Sequence, residues 1–517
     1  HWREALTNLT LFVQQSQSAE PNVDTALLEM ALSAQQLNNA ALAVEHLGKL
    51  ASGYPGSEHR PMALSELGRL QYEAKEIKTA NATLKQLVNA YSNSIERVSA
   101  EYYLGWIALK ENRDQDAARN FNYVVEQAPL NALCPDSLLQ LGLLSMKSED
   151  YPAADTRMRD LLLRFPSFAK NDEALYCSGV ALSRQKRWLE AVTKSFQPFT
   201  NQFVNSPLMD RTLYEWAWCA RNLKRIPEAV QRYDTLIKTC PQSSLLERAR
   251  FEMSELTFDA KQYDSTVADL EKTVKTAQDP SLKEQALYRL AWAYQAKGDH
   301  EGAARTFEAV LAGFPKTDVA ATAHYQAGEC RMKLLEYQSA RDHFAAVQDA
   351  KNSKEVAESA LLRLGESNAL LKEWSAASAA YNTFQVAYPR SRWIQHSRFG
   401  SGWALENKKD YVGAIAQYRK VLAEKGADEM AAKSQFQIGE CLFAQNRFEE
   451  AIQEFMRLDV TYRIPEWNAK ALLELGRVLE AKGDKPAAMA RFKELIQRYP
   501  KDNAAGVAKE RLDALRI

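Results

Sequence analysis

Residues 284–315 read EQALYRLAWAYQAKGDHEGAARTFEAVLAGFP and decide the fold of this chain. Leu290 and Tyr294 lie one helical turn apart in the first half, and Ala303 and Val310 lie two turns apart in the second, so each half has one apolar helical face. A Lys-Gly-Asp tripeptide between the halves is typical of a short turn, and the closing proline is typical of a helix end. The stretch therefore predicts two antiparallel helices, an A helix and a B helix, of about a dozen residues each.

Two small residues of this stretch recur along the whole chain at a nearly constant spacing. The first, Ala291, has equivalents every 37 residues, with one step of 38 between Gly179 and Ala217. Its copies are Ala31, Gly68, Gly105, Gly142, Gly179, Ala217, Ser254, Ala291, Gly328, Gly365, Gly402, Gly439 and Gly476. The second lies twelve residues later and is Ala43, Ala80, Ala117, Ala154, Ala191, Ala229, Thr266, Ala303, Ala340, Ala377, Ala414, Ala451 and Ala488. This register predicts about thirteen hairpins, which bury their apolar faces by stacking into an α-solenoid.

Stacking assigns a role to each recurring residue. The small residues are expected to let the A and B helices of one hairpin approach closely. The bulky residue represented by Phe307 is expected to fill the gap towards the next hairpin. Pro198 is the irregular point, because it falls inside the B helix of the fifth hairpin, which carries the one-residue insertion. A proline there predicts a kink or a helix end, and hence a bend near residues 195–210.

The register divides the chain into three segments. Residues 1–20 are predicted to form the second helix of a truncated preceding repeat, residues 21–502 about thirteen repeats, and residues 503–517 a C-terminal capping helix. The sequence starts without Met or a leader and has a helical pattern from its first residues. We therefore expect it to be a fragment of a longer protein.

Charge and hydropathy argue against two kinds of partner. Lysine and arginine together number 66, as do aspartate and glutamate, so the chain lacks the cationic surplus that drives nonspecific binding to nucleic acids. No run of about 18 apolar residues occurs, so no segment is predicted to span a membrane.

Motifs for catalysis and for cofactor or metal binding are missing from the sequence. It contains no G-x-G-x-x-G, Walker A, H-E-x-x-H or C-x-x-C. His324 and His343 lie on the two helices of one hairpin, but such a pair is more typical of surface or core positions than of a metal site. We predict no catalytic residue, no cofactor and no metal. All six cysteines are predicted to be small buried hydrophobic residues without disulfides, which argues mildly against a strongly oxidising compartment: Cys134, Cys177, Cys219, Cys240, Cys330 and Cys441.

The repeat resembles the tetratricopeptide repeat (TPR), whose pattern places Leu-Gly and Tyr in the A helix and Ala, Phe and Pro in the B helix. The chain has L-A-W-A-Y, A-A-R-T-F and P across 290–315, and L-G-W-I-A, A-A-R-N-F and P across 104–129. The resemblance implies an all-α, right-handed TPR superhelix of about thirteen helix-turn-helix repeats.

The joints between repeats carry a second resemblance. The 37-residue period exceeds the usual TPR length of about 34 by three residues, which lie between the closing proline and the next A helix. The resulting Y-P…S…A joint is similar to that of bacterial cell-envelope TPR proteins, such as the Tol-Pal-associated protein and the outer-membrane assembly lipoprotein. This similarity implies a periplasmic location in a bacterium, with the cytoplasm as the alternative.

The TPR resemblance also implies where a ligand binds, because the A helices of TPR arrays line the concave groove. Contact positions lie three residues before and one residue after the small residue of each A helix. The candidate partner-binding residues at these positions are Tyr102, Trp106, Tyr214, Trp218, Tyr288, Trp292, Tyr325, Glu329, Phe399 and Trp403. One interpretation is a ladder of aromatic plates that binds a partner. The alternative is that the aromatic side chains only pack between successive A helices, and that the intervening glutamates form a solvated groove wall.

The function implied by the resemblance is a non-enzymatic scaffold that binds another protein in its concave groove, within an envelope assembly or secretion complex. Two alternatives remain open. Tryptophan and tyrosine plates could stack on sugars, as in a polysaccharide-binding array of an exopolysaccharide export system. The array could instead select substrates for an enzyme whose catalytic domain lies outside this sequence.

Overall fold

The computed structural model describes residues 1–16, 22–349, 352–423 and 428–515, and all regular secondary structure in these ranges is helical. A first helix, Trp2–Gln15, is followed by thirteen hairpins and a last helix, Asn503–Leu515. The A helices are Val23–Gln36, Arg60–Glu73, Arg97–Lys110, Cys134–Lys147, Asn171–Arg184, Met209–Asn222, Leu246–Asp259, Pro280–Lys297, Ala320–Lys333, Ala357–Leu370, Ile394–Asn407, Glu429–Ala444 and Pro465–Lys482.

Twelve of the hairpins close with a single continuous α-helix, and the fifth closes with a helix of mixed type. These twelve B helices are Ala40–Gly53, Ile77–Ala90, Asp114–Gln127, Tyr151–Arg164, Ile226–Thr239, Tyr263–Thr276, His300–Gly313, Tyr337–Ala346, Trp374–Ala387, Tyr411–Leu422, Phe448–Thr461 and Lys485–Arg498. The predicted all-α solenoid of about thirteen hairpins is confirmed. The predicted segment limits remain predictions, and residues 17–21, 516 and 517 lie outside the described residues.

The chain forms two compact units, His1–Met253 and Ser254–Ile517. Within each unit the A helices of several neighbouring hairpins contact each other, for example Arg60–Glu73 with Arg97–Lys110, and Ile394–Asn407 with Glu429–Ala444. Neighbouring B helices do not approach each other as closely. The A helices therefore form the concave layer of each unit.

Each hairpin turns through one residue with a left-handed backbone, seven positions after the small residue of the A helix. These thirteen turn residues all have positive φ: Asn38, Lys75, Asn112, Glu149, Lys186, Lys224, Lys261, Gly298, Leu335, Lys372, Lys409, Asn446 and Gly483. The N–H of the residue after this turn residue hydrogen-bonds back to the A helix. In the third hairpin, for example, the N–H of Arg113 donates to the carbonyl of Ala108 over 2.8 Å. This is the helix-ending bond of a Schellman motif.

Leu335 is the least suitable of these turn residues, because its φ is +63° and its side chain is 69% exposed. A branched side chain gains little from burial there and is disfavoured in the left-handed region. We expect Leu335→Gly to stabilise the ninth hairpin by about 0.5–1 kcal/mol. Amide hydrogen exchange across residues 320–346 measures the change. Leu334→Gly, one residue earlier at φ −81°, is the control and should destabilise; equal effects of the two changes would contradict the prediction.

The glycines of the A helices make room for a bulky side chain of the B helix, rather than for a close approach of the two backbones. A Cβ on Gly105 would lie 2.8 Å from the ring of Phe121, and one on Gly142 would lie 2.4 Å from the end of Met158. The prediction that the bulky residue fills the gap towards the next hairpin holds for Tyr381. Its ring lies against Gly365 of its own hairpin and also against Gly400 of the next.

The fifth hairpin absorbs its extra residue in a π-helix. Its B helix runs from Trp188–Glu190 through the π-helix Ala191–Phe196 into Gln197–Gln202. The predicted bend near residues 195–210 stays a prediction, but the predicted helix end is wrong, because the chain is helical on both sides of Pro198. The irregularity lies just before it, since one π turn accommodates one inserted residue. Phe196 consequently still reaches the glycine of its own A helix.

The serine that recurs in the joints between repeats connects consecutive A helices, both in Y-P…S joints such as 388–391 and in joints without Y-P. The hydroxyl of Ser206 donates to Asp172 on the preceding A helix (2.6 Å) and accepts the N–H of Leu208 (3.1 Å). Ser243 repeats both bonds with Asp210 (2.5 Å) and the N–H of Leu245 (3.0 Å). The joint thus fixes the start of one A helix against its neighbour.

Candidate functional site

The predicted aromatic residues cover the buried rings of their own hairpins. Tyr102 and Trp106 lie edge-on to each other at 6.3 Å between ring centroids, and each lies about as close to Phe121, at 6.1 and 5.8 Å. Tyr288, Trp292 and Phe307 form the same triad, at 6.2, 6.0 and 5.8 Å. Edge-to-face pairs of this kind stabilise packing. These four side chains are half-buried, and their contacts within the hairpin agree with the packing interpretation.

The remaining residues three positions before the small residue are also seated on a buried ring. Tyr214 lies 5.5 Å from Tyr233. Tyr325 lies 5.9 Å from Phe344, and Phe399 lies 5.4 Å from Tyr418. Tyr102 is further held by a hydrogen bond from its hydroxyl to Asp136 on the next A helix (2.7 Å). Burial, and then this bond, raise the pKa of Tyr102.

The prediction that the glutamates between the aromatic residues form a solvated groove wall is wrong for Glu329 and its neighbours in this part of unit 2. The Glu329 carboxylate pairs with Arg363 of the next A helix at 2.7 Å, and Arg363 also binds Glu366 at 2.7 Å. Glu255 and Arg289 form an equivalent pair. These arginines cross from one A helix to the next, so the glutamates stabilise the concave layer and are engaged with it.

Two predicted residues, Trp218 in unit 1 and Trp403 in unit 2, are exposed, at 39% and 38%. Each lies next to a tryptophan that the contact positions did not include. Trp218 shares an open cleft with Trp188, and Trp403 lies 5.3 Å from Trp374 with the rings at 83°. Trp188 and Trp374 both begin a B helix, nine residues after the small residue of their hairpin. Comparing this position with the residue after the small residue of the next hairpin would have identified both pairs from the sequence. The same comparison pairs Tyr263 with Trp292.

The cleft in unit 1, called the Trp218 cleft below, has a volume of about 530 Å³ and lies between two consecutive A helices at the end where the hairpins turn. Its lining includes Arg184, Lys186, Trp188, Tyr214, Glu215 and Trp218. Three of its hydrogen-bonding side chains, Arg184, Glu215 and Asn222, are occupied within the fold. The Arg184 guanidinium holds Glu215 through two bonds of 3.0 and 3.2 Å, and the Asn222 amide donates to the backbone of Trp218 (2.8 Å).

The surroundings of the two tryptophan pairs differ in charge. Beside the Trp218 cleft, Arg221 and Arg248 both bind Glu252 at 2.8 Å, and the carboxylate is 8% exposed while Arg248 is 44% exposed. The cationic groups thus cover the carboxylate.

Beyond Trp403, three glutamates that are largely covered by the fold lie on successive A helices instead: Glu406, Glu440 and Glu474. Burial and the Glu474 carboxylate raise the pKa of Glu440 to about 8.

The histidine pair of the ninth hairpin is brought into contact. The Nδ1 atoms of His324 and His343 lie 3.1 Å apart, and Nε2 of His343 lies 3.2 Å from Glu308, which Arg331 binds through both carboxylate oxygens. Burial and His343 lower the pKa of His324 to about 4. Across the described ranges, no group of three or more His, Cys, Asp or Glu residues could hold a metal ion.

Five of the six cysteines are buried as predicted, and Cys240 is the exception, because it ends its B helix and is only partly covered. Burial raises the pKa of Cys177 to about 12, and those of Cys219 and Cys330 to about 11. None of the described helices combines the length and apolar character needed to cross a membrane.

Sequence comparison confirms the repeat. The family model described as Tetratricopeptide repeat matches residues 25–57, 62–94, 211–243, 285–317, 359–391 and 470–502, and a second model of the same description matches 399–459. Together these matches span half of the sequence. The chain belongs to the tetratricopeptide repeat family. No curated protein matches it.

Solved structures of several helical-repeat proteins are similar to this TPR chain at low identity. A tetratricopeptide repeat protein from Parabacteroides merdae ATCC 43184 is 13% identical, with 60% of this chain and 100% of that chain covered and a TM-score of 0.28. Yeast Tom70 is 12% identical, with 88% and 95% covered and a TM-score of 0.30. MamA is 19% identical, with 35% and 91% covered and a TM-score of 0.30. At these scores the likenesses indicate nothing about function.

Proposed function

We propose that this TPR protein is a non-enzymatic scaffold of the bacterial cell envelope whose concave layer binds another protein. The observation that carries the proposal is the exposure of Trp218 and Trp403 beside the turns of the A layer. Exposed aromatic side chains on an otherwise well-packed surface are typical of protein–protein interfaces. The other predicted contact residues support these two by holding the A helices rigid.

A location in the periplasm is part of the proposal. It is supported by the Y-P…S joint, as at residues 388–391, where Ser391 binds Glu358 of the preceding A helix. The cysteines do not oppose it, because buried thiols with raised pKa values form little thiolate and react slowly with oxidants. Cell fractionation of the full-length gene product tests the location; recovery with cytoplasmic markers would contradict it.

In-cell photo-crosslinking tests partner binding on the concave layer. A photoreactive residue at position 218, 292 or 403 of the full-length protein is expected to give a discrete protein adduct, identified by mass spectrometry. Leu163 and Val386 are matched controls, because both side chains are exposed on B helices. Adducts from the control positions alone would overturn the proposed binding surface. Crosslinking to polysaccharide in place of protein would favour the sugar-binding alternative.

A further inference from the structure

We infer that the Trp218 cleft binds an acidic peptide segment of the partner, anchored by one bulky apolar side chain. The inference rests on the proposed function and adds the chemistry of the partner. Its evidence is the shape of the cleft, the occupation of its polar groups and the charge around it.

The cleft is suited to an apolar side chain. Trp188, Tyr214 and Trp218 supply its aromatic surface, and the Trp218 ring remains exposed although the residues around it are well packed. A volume of about 530 Å³ is larger than any single side chain needs, so an anchor can enter together with part of its backbone. Burial of apolar surface from both sides would stabilise such a complex.

The polar groups of the cleft argue against a sugar as the occupant. A sugar presents many hydroxyl groups, and each one that is desolvated needs a partner. Here Arg184 and Glu215 are bonded to each other, and the Asn222 amide is bonded to the backbone of Trp218. These bonds occupy Arg184, Glu215 and Asn222, which reduces the number of partners left for sugar hydroxyls, whereas an apolar side chain needs none.

The charge around the cleft selects the segment that carries the anchor. The lining carries two cations, Arg184 and Lys186, and one carboxylate, Glu215. Next to it, Arg221 and Arg248 share Glu252, so these six groups have a net charge of +2. Both carboxylates are largely buried beneath arginines that remain accessible. The surface is therefore complementary to aspartate or glutamate residues that flank the anchor.

The equivalent tryptophan pair in unit 2 provides a control within the same protein. Trp374 and Trp403 occupy the same repeat positions, and their rings lie 5.3 Å apart. Arg184 and Arg221, however, are replaced at the equivalent repeat positions by Leu370 and Glu406, so an acidic segment would lack these two cationic partners there. Substitution of Trp403 should therefore not affect binding of a ligand that uses the Trp218 cleft.

The experiment is to select binders to the full chain from a displayed library of random 12-residue peptides. Selected peptides are expected to carry an aromatic or large aliphatic residue flanked by acidic residues. Their affinity, measured by fluorescence polarisation, should fall at least about tenfold with Trp218→Ala and about threefold to tenfold with Arg248→Gln, and it should fall with added salt. Trp403→Ala should leave it unchanged. Hydrogen exchange across residues 171–253 checks that the variants are folded.

Several results would overturn the inference. They are the selection of basic or uncharged peptides, the failure to select any peptide, and affinities that are insensitive to Trp218→Ala. Competition by a soluble neutral polysaccharide would indicate a sugar site. Photo-crosslinking tests the proposed function independently. A protein adduct combined with selected peptides that are not acidic would contradict this inference and leave the proposed function standing. The absence of both a protein adduct and selected acidic peptides would contradict both.

Discussion

Replacing Phe455 with alanine is expected to lower the free energy of unfolding of its hairpin by about 3–5 kcal/mol. Its side chain is fully buried, and its ring lies 5.5 Å from that of Phe436. It also occupies the space that the absent side chain of Gly439 leaves, since a Cβ there would lie 2.6 Å from the ring. Alanine would leave a cavity at the centre of the hairpin, which the rigid A layer cannot close.

Hydrogen exchange across residues 429–461 measures the effect of this change, because unfolding of a repeat array need not be a single transition. Val460→Ala is the control on the same helix; its side chain is 82% exposed, so we expect a change below about 0.5 kcal/mol. A loss for Phe455→Ala no larger than for Val460→Ala would contradict the assignment of this ring to the hairpin core.

The contact between glycine and ring also predicts coupling between the two positions. In the second hairpin, Gly68 faces Leu84, a smaller partner than phenylalanine. Gly439→Ala should destabilise the wild-type hairpin, because its Cβ would meet the Phe455 ring, and should cost less in a Phe455→Leu background. Additive effects would show that glycine is present for another reason.

Much of the fold could be predicted because the repeat forces each residue type into one environment. The small residue, the left-handed turn residue and the buried ring keep fixed spacings in every hairpin, so the helices and their pairing follow from the register. The fifth hairpin could not be predicted in this way. A proline inside a helix is expected to break it, but here the helix continues through Pro198 after the π-helix at 191–196, in which Phe196 packs against Gly179.

The candidate site could be predicted less completely, because its residues are shared between consecutive hairpins. Trp218 and Trp403 were found from a single column of the repeat, whereas their neighbours Trp188 and Trp374 belong to another column of the preceding hairpin. Glu329 shows the same limitation. Its partner Arg363 lies 34 residues away, and only the stacking of A helices brings the two together.

The histidine pair of the ninth hairpin is expected to make the protein less stable in mild acid. The pKa of His324 is lowered to about 4 in the folded state, whereas an unfolded histidine has a pKa of about 6.5. Below pH 6.5 the unfolded chain takes up a proton that the folded chain does not. The stabilisation is therefore complete above about pH 6.5 and decreases as the pH falls towards 4. Allowing for residual exposure of the ring, we expect a loss of about 2–3 kcal/mol across this window.

Burial of His324 is the main reason that its protonation opposes folding, and the neighbouring His343 adds to it. Nδ1 of His324 faces Nδ1 of His343 at 3.1 Å, so one nitrogen must accept the proton that the other donates. A proton on both would place two N–H groups against each other. Glu308 faces only Nε2 of His343 and is also held by Arg331, so it cannot neutralise a charge on His324.

The measurement is hydrogen exchange across residues 320–346 in the full chain, at several pH values from 7 to 4, with rates corrected for the intrinsic pH dependence. Carboxylates also titrate in this range, so the informative quantity is the difference between wild type and His324→Gln. The variant should lose the part of the pH dependence that belongs to His324, while substitution of the exposed His396 by glutamine should change nothing. If the pH dependence were unchanged in His324→Gln, protonation of His324 would not be what lowers the stability of this hairpin in mild acid.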